Sequence, residues 1–172
     1  MNPPMTAEIR RIDDQNVEDY RSIRLAALRN APEAFGSTYD EEVSRPMSAF
    51  ADRLRHTTVF GAYDDARVVG MVGFARQSGP KDRHKGFLWG MYVDPEMRGR
   101  GIGAALVGAA LRHAAGLVEQ VTLSVVTSNT SAIALYEALG FKPYGVEPRA
   151  LKSAQGCADE MLMLRYCDAA DR

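Results

Sequence analysis

The chain has little that could staple it or hold a metal. Its two cysteines, Cys157 and Cys167, lie apart with no Cys-x-x-Cys and no histidine beside them. That spacing fits neither a zinc motif nor a redox pair, so they read as free thiols in a reducing compartment. The histidines, His56, His84 and His113, are scattered and never pair at ligand spacing on one helix face, so no metal is expected. Neither sign of charge dominates: 21 Lys and Arg against 22 Asp and Glu leave a formal net charge of −1. A nucleic-acid partner is therefore not expected, because duplex binding draws on a basic excess that displaces counterions. Long apolar runs are also missing. The most apolar stretch, residues 101–111, ends at Arg112 and His113, whereas crossing a bilayer takes about twenty residues. The opening Met-Asn-Pro-Pro-Met-Thr has no apolar leader core. The expectation is a cytoplasmic protein with no membrane partner.

What is present is the makeup of one domain. The 172 residues compare with about 150 for a typical domain. With 46% hydrophobic and 25% charged residues, the chain can bury roughly two-thirds of its unfolded surface without covalent help. Residues 1–172 are read as a single domain, with neither repeats nor a linker.

Periodicity orders the elements. Residues 7–12 are strand-like, and Asp13-Asp14 is a plausible cap for a helix over residues 17–28. There Val17, Tyr20, Arg24 and Leu28 form one row, with Ile23 and Ala27 beside it. Ala31-Pro32 interrupts it, and a loop holding Phe35 and the acidic Asp40-Glu41-Glu42 follows. Pro46 then opens a helix through Phe50 and Leu54. Two alternating segments, 58–63 and 67–75, joined by Asp64-Asp65-Ala66, suggest an antiparallel hairpin. Residues 87–93 (Phe-Leu-Trp-Gly-Met-Tyr-Val) are apolar throughout, as in a central strand covered on both faces. A glycine-rich turn leads to a buried helix over about 101–115. A strand at 121–126, a short helix stopped by Gly140, and two strands in the tail complete the chain. The fold class is α/β (α+β): a mixed central sheet flanked by helices, in the order β-α-α-β-β-β-α-β-α-β-β.

The turn between Val93 and Ala104 is the most specific feature. It joins a buried strand to a buried helix whose first N–H groups have no intrahelical partners and whose start is positive. Gly99, Gly101 and Gly103 clear side chains from those N–H groups, and Arg98 and Arg100 add cationic forks. A pyrophosphate fits such a turn. A Walker A loop is excluded because no lysine is present, and a dinucleotide fingerprint lacks its third glycine, since Leu106 stands there. The segment Arg98-Gly99-Arg100-Gly101-Ile102-Gly103 instead matches Arg/Gln-x-x-Gly-x-Gly/Ala. A second segment, Asn129-Thr130-Ser131-Ala132-Ile133-Ala134-Leu135-Tyr136-Glu137-Ala138-Leu139-Gly140-Phe141, matches Asn-x-x-Ala-x-x-Leu-Tyr-x-x-x-Gly-Phe. Together with the element order, the two motifs resemble the GCN5-related N-acetyltransferase (GNAT) superfamily. The resemblance is good over residues 57–166 and loose over the amino-terminal helices.

That resemblance implies acetyl-coenzyme A as co-substrate and an amine as acceptor, small molecule or protein. It also implies that the acetyl group passes by direct attack in a ternary complex. The turn, from Arg98 and Gly99 through Arg100, Gly101, Ile102 and Gly103 to Ala104, would hold the pyrophosphate. The backbone of Met91, Tyr92 and Val93 would pair with the pantetheine. Gly90 is either a bulge in that strand or space for a neighbouring side chain. A backbone N–H near Met91 or Tyr92 would donate to the oxyanion of the reaction. Tyr136 stands where the family commonly keeps a general acid for the departing thiolate; simple packing is the other reading. Asn129 would bond the cofactor or cap the following helix. The strand glutamate that serves some members as base is replaced by Phe87, which leaves Glu41, Glu42 or His84 acting through water. The acceptor pocket is expected from residues 35–44 and 144–157, with Trp89 and Tyr92 on opposite faces of their strand. A non-catalytic coenzyme A sensor on the same fold is the rival reading. A homodimer is implied only at the level of the family.

Overall fold

The computed structural model describes residues 7–167; the opening segment read above for a leader lies outside them. Strand β1 (Glu8–Ile12) leads into helix α1 (Val17–Asn30), a short α2 (Tyr39–Val43) and α3 (Met47–His56). The strands β2 (Thr58–Asp64), β3 (Arg67–Arg76) and β4 (Lys85–Val93) follow. After them come α4 (Ile102–Ala114), β5 (Gln120–Val126), α5 (Thr130–Ala138), β6 (Lys142–Ser153) and β7 (Gly156–Tyr166). One seven-stranded sheet runs β1-β2-β3-β4-β5-β7-β6. Every neighbouring pair is antiparallel except β4 and β5, and α4 supplies the crossover that a parallel pair needs.

The expected architecture holds, with one helix more than the periodicity suggested. Helix α2 is a single turn and too short to show a period, but Thr38 and Glu41 form a capping box. The Glu41 N–H donates to Thr38 Oγ1 at 3.3 Å, and the Thr38 N–H donates to Glu41 Oε2 at 3.1 Å. Two orphan donors are satisfied reciprocally, so even five residues hold a helical turn.

Two cores lie on opposite faces of the sheet. Val72, Phe74, Leu88, Val121, Leu123 and Met163 pack with α4 and α5 on one face. On the other, Val59, Tyr63, Met71 and Tyr92 pack with Tyr20, Ile23, Ala27, Phe50 and Leu54 of α1 and α3. Helix α4 is buried along most of its surface, which explains its run of Ala, Leu and Val. The amino-terminal helices stop at β4. At β5 the short 3-10 turn Pro32–Ala34 approaches the sheet, and β6 is exposed along most of its length. Among the described residues no helix is long and apolar enough to cross a membrane.

Candidate active site

The sheet opens between its two parallel strands. Pairing of β4 with β5 is confined to Lys85 with Gln120, Gly86 with Val121 and Phe87 with Thr122; beyond these the strands part into a wedge. The cause lies in β4. Met71 of β3 faces Tyr92 and Gly73 faces Trp89, so Val72 has both Gly90 and Met91 opposite it. Gly90 takes φ +65°, where a side chain is strained, and a bulge of this kind bends its strand and sharpens the twist. Of the two readings of Gly90, the structure shows the bulge.

The extra residue also shifts the alternation of side chains. Trp89 and Tyr92, expected on opposite faces, both lie on the α1 side: Trp89 meets Tyr20 edge to face, with ring centroids 6.5 Å apart, and Tyr92 joins the same core. The Tyr92 hydroxyl accepts from Asn30 Nδ2 at 2.8 Å, and burial raises its pKa.

Backbone groups on β4 divide between β3 and the wedge. The Asp94 N–H donates to Val69 O at 2.8 Å. Facing residues in an antiparallel ladder alternate in hydrogen bonding, so Tyr92 turns its backbone groups to Met71 and Val93 turns its own to the open side. Arg98 Nε donates to Val93 O at 3.0 Å, which ties the start of the turn to the edge of the wedge.

Within the wedge, Met91, Tyr92, Val93, Arg98, Gly99, Gly101, Ile102, Gly103, Ala104 and Asn129 line one cavity of about 500 Å³. Arg100 is exposed outside that lining. Helix α4 begins there without a side-chain cap, so the N–H groups of its first turn are left for a ligand. Gly99 and Gly101 adopt φ +74° and +78°, and a Cβ on either would meet nothing within 4 Å. Backbone conformation, rather than crowding, calls for glycine at these two positions. Gly103 differs, because a Cβ there would come within 3.1 Å of Leu135 and Met91. Asn129 Oδ1 accepts from the Ala132 N–H at 3.3 Å and so caps α5, while its amide NH₂ end remains for the cavity.

Tyr136 sits on α5, 6% exposed, and packs edge to face on Phe141 with centroids 5.8 Å apart. Burial pushes its pKa up to about 12. It lies in the packed core and is not among the residues lining either cavity.

A second cavity, about 540 Å³, continues past Ala34 and Phe35 to β5 and β7. Of the segments 35–44 and 144–157, Phe35, Gly36, Ser37 and Tyr144 line it and the rest do not, while Trp89 does. The expected bases do not. Glu41 is used by its capping box, His84 stands outside the lining, and Glu42 is fully buried rather than solvated. Arg24 Nε and Nη2 donate to Glu42 at 3.1 and 2.8 Å, and Arg53 Nη1 donates to it at 3.3 Å. Burial by itself would raise the Glu42 pKa, but the bonds and charges of Arg24 and Arg53 prevail and hold it at about 2. The carboxylate that does line the cavity is Glu160 of β7, and Arg24 is its basic residue. Sequence reading missed both. Glu160 stands two residues before Leu162, on one strand face, but its place opposite Val126 depends on a β5–β7 register with no local signal.

The chain is similar to known proteins. An acetyltransferase (GNAT) family model matches residues 20–141. A mycothiol acetyltransferase of Thermobispora bispora is 47% identical over 137 residues, covering 76% of this chain and 44% of that protein. The N-alpha-acetyltransferase RimI of Mycobacterium tuberculosis is 36% identical over 109 residues, 60% of this chain and 65% of that one. The chain spans less than half the length of the mycothiol acetyltransferases it matches. Among solved structures, a GNAT-family acetyltransferase of Streptococcus pneumoniae has a TM-score of 0.83 at 19% identity, covering 94% of this chain and 99% of that one.

Proposed function

The chain belongs to the GNAT acetyltransferase family, and on that footing we propose that it transfers an acetyl group from acetyl-coenzyme A to an amine. One observation carries the reading: two cavities meet at Ala34 and Phe35 across the parted ends of β4 and β5. One holds a glycine-lined helix start suited to a pyrophosphate; the other is open to an acceptor.

Acetyl-coenzyme A supplies the activated acyl group, and the protein positions and protonates. The N–H groups of Ile102, Gly103 and Ala104, with Arg98 beside them, take the pyrophosphate oxygens. Met91 and Val93 offer the wedge-facing backbone groups with which pantetheine amides pair as an added strand would. The amide of Asn129 donates to the same ligand. Tyr136 returns a proton to the departing sulfur. A phenol near 12 is a weak acid beside a thiol of about 8.5, and the gap of about 3.5 units corresponds to about 5 kcal/mol. A sulfur desolvated in the wedge is raised as well, which narrows the gap. Glu160 receives the proton that the acceptor ammonium must lose before it attacks.

Tyr136, standing in the core outside both linings, favours one second reading: a coenzyme A-binding module without turnover. Calorimetric titration with acetyl-coenzyme A, with NAD and ATP as controls, tests the cofactor assignment. A thiol-release screen over amines then separates the two readings. Micromolar binding with amine-dependent thiol release supports the transferase, binding without release supports the sensor, and absence of binding overturns both.

A further inference from the structure

The buried ion cluster under the acceptor cavity is unbalanced. Arg24 and Arg53 share one carboxylate, Glu42, whose side chain is 0% exposed against 7% for Arg24 and 25% for Arg53. Among the described residues neither arginine forms an ion pair with a second acid. One positive charge therefore stays uncompensated in a poorly solvated place, where it favours an incoming anion.

The direction of that charge is also set. Arg24 spends Nε and Nη2 on Glu42, and its guanidinium carbon lies 5.4 Å from the Phe35 ring centroid. Its third nitrogen, Nη1, lies 3.7 Å from where a Cβ of Gly90 would stand. Arg24 thus turns one free edge toward the β4 bulge, where the strands part and the two cavities meet, and it lines the acceptor side. Glu42 fixes the guanidinium from behind, leaving a planar donor edge with no hydrogen-bond partner among the described residues.

We infer that Arg24 binds a carboxylate on the acceptor, and that the acceptor is a free α-amino acid. The inference rests on the transferase reading above and narrows it to one substrate class. The amine must reach the opening beside Met91, one residue from Gly90, so an anion held by Arg24 has to sit close to that amine. An α-amino acid carries its carboxylate on the carbon next to the amine. A polyamine has no such group, and the terminus of a long peptide holds its carboxylate far away. With the carboxylate on Arg24, the side chain of the amino acid extends toward Tyr144 and Leu162 on the open face.

The test compares L-α-amino acids with their primary amides in a thiol-release assay at saturating acetyl-coenzyme A, beside calorimetric affinity for acetyl-coenzyme A. The amide amine is the less basic and is deprotonated more readily, so reactivity alone would favour the amides. The expected result is a kcat/KM about tenfold or more higher for the acids, carried by KM. Arg24→Lys should shrink that ratio to about twofold while acetyl-coenzyme A affinity holds. If Arg24→Lys does not fold, the wild-type ratio decides by itself. Amides used as well as acids, or amines accepted with no amino acid among them, overturn the inference and leave the transferase reading standing. Failure to bind acetyl-coenzyme A removes both.

Discussion

Phe87 and Thr122 are the last partners in the parallel ladder between β4 and β5, and both line the cavity proposed for the acceptor. Their pairing marks the point where the sheet stops being continuous and a ligand can enter it. It also puts a phenyl ring at the strand position where, by resemblance, some members of the family carry a glutamate. The carboxylate that reaches this cavity comes instead from β7, on the far side of the wedge.

Glu160→Gln keeps the shape of the side chain and removes its basicity. Turnover with an amine acceptor should fall about tenfold or more, with acetyl-coenzyme A affinity unchanged. Steady-state kinetics beside calorimetry would check this, and activity within twofold of wild type would move the base elsewhere.

Tyr136→Phe removes the phenolic proton but keeps the ring against Phe141. Turnover should fall by about tenfold or more while acetyl-coenzyme A binds as before. Because burial holds this phenol near 12, its proton should remain in place through pH 10. An alkaline loss of rate with a midpoint near 9 would therefore point to another group.

Gly103→Val should raise the dissociation constant for acetyl-coenzyme A at least about tenfold, because the new methyls enter the cavity and meet Leu135 and Met91. Gly99→Ala is the companion, since its Cβ would meet nothing within 4 Å and only backbone strain of about 1–2 kcal/mol opposes it. Calorimetry on both variants, with thermal unfolding as control, separates blocked access from strain. Unchanged binding in Gly103→Val would remove the turn from the cofactor site.

The Glu42 ion cluster makes stability dependent on acid. The carboxyl is lowered from about 4.5 to about 2 on folding, so its contribution is complete above pH 4.5 and is lost as pH falls through 2. The size is on the order of 3 kcal/mol. Urea unfolding between pH 7 and pH 2 should show midpoints falling across that window, with a shallower slope in Glu42→Gln. That variant should already be less stable at pH 7, by about 3 kcal/mol or more, because buried Arg24 and half-buried Arg53 lose their partner.

Much of this was legible in the chain. The apolar strand before Asp94, the glycines of the turn and the Asn129-to-Phe141 motif are local patterns, and the lining of the first cavity draws on all three. Helix α2 was hidden by its length, although Thr38-x-x-Glu41 was its signature. The bulge at Gly90 reverses side-chain parity along β4, so counting by twos misplaced Trp89 relative to Tyr92. The acceptor side depends on long-range partners. Arg24 reads as one member of an amphipathic row, and Asp40-Glu41-Glu42 as an exposed acidic run. Only the packing of α1 against α2 shows that Glu42 is buried beneath Arg24.

The exposed end of the sheet beyond β4 separates two kinds of change. The glycine-rich turn is bound into the main core through Met97, Ile102 and Leu106, so substitutions there put the whole molecule at risk. Tyr144 is 57% exposed and Glu160 and Leu162 are only half-buried, so replacing them removes little packing. Substitutions on β6 and β7 can therefore reshape the second cavity while the packed half of the molecule stays intact, and this half of the sheet is where divergence among relatives should concentrate.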